Sequence, residues 1–145
     1  MIALASDHAG FQYKEDIKKL LDELKLPYKD FGPSTGESTD YPDWGHIASD
    51  AVSRGECVQG ILVCGTGIGM SIVANKHKGV RAAVCESVTA ARLARQHNDA
   101  NVLTIGERIT GWEAVVDIVK VFFSTSFEGG RHARRVGKIH TLTNL

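Results

Sequence analysis

A cysteine followed by a glycine-rich turn is the part of the sequence best suited to chemistry. Cys64 ends an apolar run, and Gly65, Gly67 and Gly69 follow at alternate positions. Glycines at this spacing before a helix permit a tight turn that directs several backbone N–H groups outward, at the positive end of the helix dipole. Such a turn suits an oxyanion or a phosphate. It would also stabilise a thiolate at Cys64, which could act as a base or a nucleophile.

The alternative role for Cys64 is that of a small buried hydrophobe. Its position, at the end of a strand and the start of a glycine turn, favours a functional role. Cys57 and Cys85 lack that setting, and we expect both to pack in the core. The three cysteines match no zinc motif, which predicts free thiols in a reducing compartment. The turn also lacks the features of an ATP-binding P-loop or a dinucleotide fingerprint.

A second polar pair, Asp7 and His8, follows the first apolar run of the chain. The imidazole could donate a hydrogen bond to a hydroxyl or phosphate, and the carboxylate could accept one from a sugar hydroxyl. Asp7 could equally cap a helix, and the two roles are compatible. In open parallel sheets the ligand crevice lies beyond the carboxyl ends of the strands. We therefore expect the strands before Asp7 and Cys64 to be neighbours, with both loops in one pocket.

The elements that must position these residues alternate between short β-branched runs and longer helical periodicity, which is typical of a parallel sheet covered by helices on both faces. Strands are expected over residues 2–6, 28–31, 60–63, 80–84 and 101–105. Helices are expected around 17–24, from 42 to about 54, after the glycine turn to 75, from 88 to about 97, from 111 onward, and over about 129–140. The predicted fold class is α/β: a three-layer α/β/α, Rossmann-like domain, with a five-stranded parallel sheet, spanning residues 1–145.

Composition excludes several classes of protein. Among the 145 residues, 17 basic side chains balance 17 acidic ones, so no net field draws the chain to nucleic acid or to an anionic membrane. The last basic segment, 129–145, has four Lys or Arg and no acidic residue, which suits a small anion better than a duplex. No signal peptide or membrane span is evident, and we expect a cytoplasmic protein.

Five blocks of the sequence resemble those of one enzyme family. They are Ser6-Asp7-His8-Ala9-Gly10, Thr39-Asp40-Tyr41-Pro42, Cys64-Gly65-Thr66-Gly67-Ile68-Gly69, Arg95-Gln96-His97-Asn98-Asp99 and Glu128-Gly129-Gly130-Arg131-His132. Together they span nearly the whole chain and resemble the type B ribose-5-phosphate isomerases. That family also includes allose 6-phosphate and galactose 6-phosphate isomerases. Its members interconvert aldose and ketose phosphates without a metal or a cofactor.

The resemblance implies an isomerase that interconverts ribose 5-phosphate and ribulose 5-phosphate through an enediolate, a reaction of the pentose phosphate pathway. Cys64 would be the base that moves a proton between C2 and C1. The backbone amides of residues 65–69 would donate to the enediolate oxygen, and Thr66 would bond the same oxygens. A second branch of the family has a glutamate base at the position of Met70, so this sequence resembles the cysteine branch.

The resemblance also assigns the residues that would hold the sugar phosphate. His97 would open the furanose ring by proton transfer, Asn98 and Asp7 would hold hydroxyls, and Tyr41 would line the pocket. The phosphate would be bound by His8, Arg108, Arg131 and Arg135. Guanidinium groups bind phosphate in a bidentate manner, although solvated surface charge is the commoner role of an arginine. Arg134 matches no position of the family pattern, and we expect it to be solvated.

The position of His97 predicts an oligomer. The helix that begins at residue 88 descends about 15 Å from the carboxyl end of its strand, so His97 emerges at the opposite edge of the sheet from Cys64. We therefore expect a homodimer, or a tetramer, in which His97 and Asn98 of one chain complete the pocket of another. The basic segment 129–145 is also a candidate to reach from one chain to the other.

Three alternatives remain open from the sequence. The substrate could be allose 6-phosphate or galactose 6-phosphate, because pentose and hexose phosphates differ by one hydroxymethylene group. A nucleotide-binding or receiver-like α/β module could share the sheet and the glycine turn, although a receiver requires an acceptor aspartate where Cys64 stands. A metal-dependent isomerase is the third, although His46, His77 and His140 have no ligand-like spacing.

Overall fold

Five strands and six helices alternate along residues 1–145, all of which are described by the computed structural model. The strands are β1 (Ile2–Ser6), β2 (Tyr28–Asp30), β3 (Gln59–Cys64), β4 (Ala82–Val84) and β5 (Val102–Gly106). The helices are α1 (Phe11–Glu23), α2 (Tyr41–Ser53), α3 (Ile68–Ala74), α4 (Val88–Asn98), α5 (Trp112–Ser124) and α6 (Arg131–Thr143). Every predicted element is present. The largest differences are that α1 starts at Phe11, six residues before the predicted segment, that β4 starts two residues late and that α6 extends beyond residue 140.

The strands form one parallel sheet in the order β2-β1-β3-β5-β4. The predicted five-stranded α/β fold is therefore confirmed. β1 and β3 are neighbours, as expected, and Ser6 lies opposite Val63 in their register. Their carboxyl ends consequently meet at one edge, where the chain leaves toward opposite faces of the sheet. No helix of the structure is long and apolar enough to cross a bilayer.

Two hydrophobic cores lie on the two faces of the sheet. Leu4 and Ile61 face α1, α4 and α5, whereas Ala5 and Leu62 face α2 and α3. This alternation follows from the two-residue period of a strand. The other two cysteines are fully buried, Cys57 in the core under α2 and α3 and Cys85 in the opposite core. The prediction that both pack in the core is confirmed.

An ion-pair cluster fixes α1 to the end of β2. The ammonium of Lys14 is completely buried and lies 2.6 Å from Asp30 Oδ2 and 2.7 Å from Glu15 Oε1. Asp30 Oδ1 also accepts a hydrogen bond from the Gly32 amide at 2.8 Å, at the start of the loop that leads to α2. Burial alone would raise the pKa of Asp30, but the hydrogen bonds from Lys14, Gly32 and Lys18 hold it below its ordinary value.

Replacing Asp30 with asparagine should destabilise the fold, because the buried Lys14 ammonium loses its strongest partner. We expect the free energy of unfolding to fall by about 2 kcal/mol at neutral pH in urea titrations. Asp50→Asn, which removes an exposed partner of Arg54, should cost at most about 0.5 kcal/mol. Because the native pKa of Asp30 is lowered, its contribution is lost as the pH falls through that pKa, so wild type and Asp30→Asn should converge in acid. Equal stability at neutral pH would contradict this role.

Candidate active site

A cleft of about 220 Å³ opens at the carboxyl ends of the central strands. It is lined by Asp7, His8, Ala9, Tyr41, Cys64, Gly65, Thr66, Gly69 and Arg108. The loops after β1 and β3 therefore form one pocket, as their sequence predicted. Two further residues suggested by the resemblance, Tyr41 and Arg108, reach the same pocket from the start of α2 and from the turn after β5.

Cys64 is the last residue of β3, and its side chain borders the cleft although the residue is only 4% exposed. The Gly67 amide donates a hydrogen bond to Cys64 Sγ at 3.2 Å. Gly67 has a φ of +76°, and a Cβ at this position would lie 2.9 Å from the backbone of Ile105. Only glycine fits this conformation and contact. The turn thus presents a backbone N–H donor to the sulfur at the edge of the cleft.

The turn after β5 supports the glycine turn by direct backbone contact. The amides of Glu107 and Arg108 donate to the carbonyls of Cys64 and Gly65 at 2.9 and 3.0 Å. A Cβ on Gly106 would lie 2.5 Å from the backbone of Thr66, so the two turns meet with no side chain between them. Thr66 Oγ1 accepts a hydrogen bond from the first amide of α3 at 3.2 Å and is exposed at the cleft.

The polar pair after β1 is held by two different contacts. Asp7 is buried, and its Oδ1 accepts a hydrogen bond from the Gly10 amide at 3.0 Å. The suggested capping of α1 by Asp7 is wrong, because Gly10 is the N-cap of that helix and Asp7 bonds only the turn before it. His8 is exposed, and its Nδ1 lies 3.0 Å from the Thr39 carbonyl oxygen and 3.2 Å from the Thr39 amide. This contact anchors the loop before α2, which carries Tyr41 to the cleft.

Sequence reasoning missed Glu107, which lies between this cleft and α1. Its carboxylate accepts a hydrogen bond from the Tyr13 amide at 3.0 Å, in the first turn of α1. Burial raises the pKa of Glu107, and the negative charges of Asp16 and Asp7 act in the same direction. No local signal could have identified this contact, because 94 residues separate its partners.

The other predicted site residues form a second group at the opposite edge of the sheet. His97 and Asn98 end α4, and together with Arg135 they line a separate cavity of about 260 Å³ between α4 and α6. Arg131 is exposed at the start of α6. A single chain therefore does not bring His97 to Cys64, in agreement with the expected descent of α4. The expected phosphate ligands are divided as well, with His8 and Arg108 at the first cleft.

His132 was not assigned a role, although it belongs to the fifth sequence block. Its ring is stacked on that of His97, with centroids 4.4 Å apart and planes inclined by 11°, and its Nε2 lies 3.4 Å from the Glu128 carboxylate. Burial lowers the pKa of His132, and neighbouring His97 and Arg131 lower it further. The potential metal-ligating atoms of His97, Glu128 and His132 lie within 4.8 Å of one another. However, nearly parallel rings direct their lone pairs along parallel planes, which does not suit coordination of one ion at about 2.1 Å.

The three thiols should differ in reactivity toward iodoacetamide. Cys64 borders the cleft and receives an N–H donor, whereas burial raises the pKa of Cys57 and raises that of Cys85 to about 11. Because the thiolate is the reactive form, we expect Cys64 to be alkylated first, about tenfold faster than the other two at pH 8. Peptide mass spectrometry over time measures the three rates. Faster modification of Cys57 or Cys85 would contradict this description of the cleft.

Comparison with known proteins identifies the family. The sequence model of the Ribose/Galactose Isomerase family matches residues 2–139. The chain is 46% identical to ribose-5-phosphate isomerase B of Escherichia coli (strain K12), a match that covers 95% of this chain and 93% of that protein. The solved structure of Clostridium thermocellum ribose-5-phosphate isomerase B has a TM-score of 0.96 and 48% identity, with 99% and 97% of the two chains covered. That of Mycoplasma genitalium ribose-5-phosphate isomerase B with bound ribulose 5-phosphate has a TM-score of 0.95 and 40% identity, with 99% and 95% covered. The chain belongs to the ribose/galactose isomerase family.

Proposed function

We propose that this chain is a single-domain isomerase, residues 1–145, that interconverts ribose 5-phosphate and ribulose 5-phosphate. The observation that carries the proposal is the thiol of Cys64 at the cleft, with the Gly67 amide 3.2 Å from its sulfur. The names of the relatives in Escherichia coli and Clostridium thermocellum support this substrate pair, as does the ribulose 5-phosphate bound to the Mycoplasma genitalium enzyme. Cytoplasmic pentose phosphate metabolism, where thiols stay reduced, is the setting that we propose.

Proton transfer between C2 and C1 would be the central step. The Cys64 thiolate takes the proton from C2 of the open-chain aldose, and the electron pair of that C–H bond forms the C1–C2 double bond of an enediolate with its charge on O1. The thiol then returns the proton to C1, while the proton of O2 passes to O1, which leaves the ketone at C2. Gly65, Thr66 and Gly69 line the cleft, which supports the proposal that amides of residues 65–69 and the Thr66 hydroxyl would stabilise the charged oxygens.

The remaining groups of the cleft would hold the substrate. Asp7 accepts hydrogen bonds from sugar hydroxyls, Tyr41 provides a wall, and His8 and Arg108 bind the phosphate. No metal or cofactor enters the proposed reaction. The match over residues 2–139 favours an isomerase over a nucleotide-binding or receiver-like module. The names of the relatives likewise favour the pentose phosphate over a hexose phosphate.

The site would be completed by a second copy of the chain. His97, Asn98, Arg131 and Arg135 lie at the other edge of the sheet, so a homodimer, alone or within a tetramer, would supply them to the partner's cleft. Exposed isoleucines on the adjacent helices α2 and α3 support an association surface beside the cleft: Ile47 of α2 is 45% exposed, and Ile68 and Ile72 of α3 are 53% and 57% exposed. In that dimer His97 would open the furanose ring, and the arginines of α6 would complete the phosphate site.

The experiment that tests the proposed function is an isomerisation assay of the purified protein. Ribose 5-phosphate, allose 6-phosphate and galactose 6-phosphate are supplied in parallel, each with and without a chelator. We expect chelator-resistant turnover of ribose 5-phosphate. Turnover of only a hexose phosphate would contradict the substrate, and no turnover of any sugar would contradict the isomerase.

Removing the Cys64 thiol should abolish proton transfer and leave binding largely intact. We expect Cys64→Ala to lose about 10³-fold in kcat for ribose 5-phosphate, the scale of a general base, with KM changed less than about threefold. Steady-state kinetics measures both constants. Cys57→Ala, which removes a buried thiol away from the cleft, is the matched control and should retain activity. A large rise in KM with kcat preserved would assign Cys64 to binding.

Two inactive chains should restore activity when mixed, if the site is shared. A heterodimer of Cys64→Ala and His97→Ala chains contains one cleft with both intact residues. Random exchange of equal amounts should therefore recover about a quarter of the wild-type activity. The chains are unfolded and refolded together, and each variant refolded alone is the control. Activity no greater than that of the separate variants would show that Cys64 and His97 do not act across a dimer.

A further inference from the structure

Arg81, which precedes β4, is bonded to the end of α4. Its Nε donates to the carbonyls of Asn98 and Asp99 at 3.1 and 3.0 Å, and Nη2 donates to the Asp99 carbonyl at 2.8 Å. The last carbonyls of a helix have no partner within the helix, so these bonds satisfy groups that would otherwise need water. Only 18% of the Arg81 side chain is exposed. The contact is therefore a built part of the fold rather than a solvated surface charge.

Asp99 joins Arg81 to a second arginine. Its carboxylate is bound by Arg81 Nη2 at 3.2 Å through one oxygen and by Arg95 Nη1 at 2.8 Å through the other. Asp99 has a positive φ of 45°, and Arg95 also donates to the Ala100 carbonyl at 2.6 Å. Two guanidinium groups thus hold the chain where it turns out of α4. The two residues just before this turn are His97 and Asn98.

The same guanidinium reaches α6. Arg81 Nη1 lies 2.9 Å from His140 Nε2 and donates to it, because a guanidinium has no acceptor; His140 Nδ1 lies 2.6 Å from the main-chain oxygen of Leu145. Arg81 therefore connects the end of α4 to the helix that carries Arg131 and Arg135. The cavity lined by His97, Asn98 and Arg135 lies between these two helices.

We propose that Arg81 is a positioning residue that fixes His97 and Asn98 relative to the arginines of α6. This inference rests on the proposed function, in which His97 opens the ring and α6 binds phosphate. Displacing a reacting group by about 1 Å can lower the rate of a reaction about 10²-fold. Hydrogen bonds that hold His97 and Asn98 rigidly in place should therefore increase the rate. The planar fork of arginine makes all of these bonds at once, and the single ammonium of lysine does not.

Arg81→Lys tests the proposal by comparing a reaction that needs ring opening with one that does not. Ribulose 5-phosphate cannot close a furanose ring, because its C5 oxygen carries the phosphate, so exchange of its C1 hydrogen with D2O through the enediolate requires no ring opening. We expect kcat/KM for isomerisation of ribose 5-phosphate to fall about 10²-fold, and the rate of C1 exchange in ribulose 5-phosphate to fall less than about fivefold. Arg54→Lys, at the exposed arginine that follows α2, is the matched control and should change neither. Equal losses in the two reactions, or no loss, would overturn the proposal.

Two further variants separate the contact of Arg81 with α4 from its contact with α6. Asp99→Asn keeps a residue that tolerates positive φ and should lose about tenfold in isomerisation of ribose 5-phosphate, with C1 exchange in ribulose 5-phosphate nearly unchanged. His140→Ala releases only α6, so KM for both sugar phosphates should rise about threefold with kcat unchanged. The selective loss of isomerisation in His140→Ala and its absence in Asp99→Asn would overturn the assignment. Thermal unfolding of each variant verifies that it is folded.

The imidazole NMR signals of His97 provide a readout that does not depend on turnover. They are assigned by their absence in His97→Gln. We expect them to shift in Arg81→Lys and Asp99→Asn and to be unchanged in Arg54→Lys, and unchanged signals in all three variants would overturn the proposal. If the His97 signals shift in Arg81→Lys and Asp99→Asn but the wild type does not isomerise ribose 5-phosphate, only the proposed function is contradicted. If the wild type is active but the signals are unchanged in both variants, only the positioning role is contradicted.

Discussion

Close contact between two backbone turns, at the carboxyl ends of β3 and β5, is the constraint on which the cleft depends. Gly67 and Gly106 allow these turns to meet without side chains between them, and amides of the second turn bond the carbonyls of the first. The contact leaves the Gly67 amide free to face Cys64 Sγ. Donors fixed in this way need no reorganisation when charge develops nearby, which is the condition for efficient stabilisation of an enediolate.

The parallel topology places the residues proposed for the reaction at two edges of one sheet. Groups that follow a strand, such as Cys64, lie at the carboxyl edge, whereas groups that end a helix, such as His97, lie at the amino edge. A single chain of this fold therefore holds Cys64 and His97, the two proposed halves of the site, apart. Association of two copies, as proposed, would join the halves and make activity depend on assembly.

Local patterns were sufficient to predict the fold and much of the cleft. The periods of strands and helices identified all the elements, and the rule for ligand crevices placed Asp7 and Cys64 together before any contact was known. The roles suggested by the resemblance stay predictions. By contrast, the burial of Lys14 runs against the usual exposure of charged groups. The hydrogen bonds of Tyr13 with Glu107, and of Arg81 with the end of α4, join residues that are distant in sequence. Such contacts leave no periodic signal, so they required the structure.

Hydrogen exchange at the reacting carbons tests the central claim, that Cys64 moves the proton between C2 and C1, most directly. Ribose 5-phosphate is incubated in D2O with wild type or Cys64→Ala, and deuterium at C2 of the aldose and C1 of the ketose is followed by NMR. We expect incorporation with the wild type and incorporation about 10³-fold slower with the variant, at substrate concentrations that saturate both. Incorporation by Cys64→Ala at the wild-type rate would show that another group moves the proton.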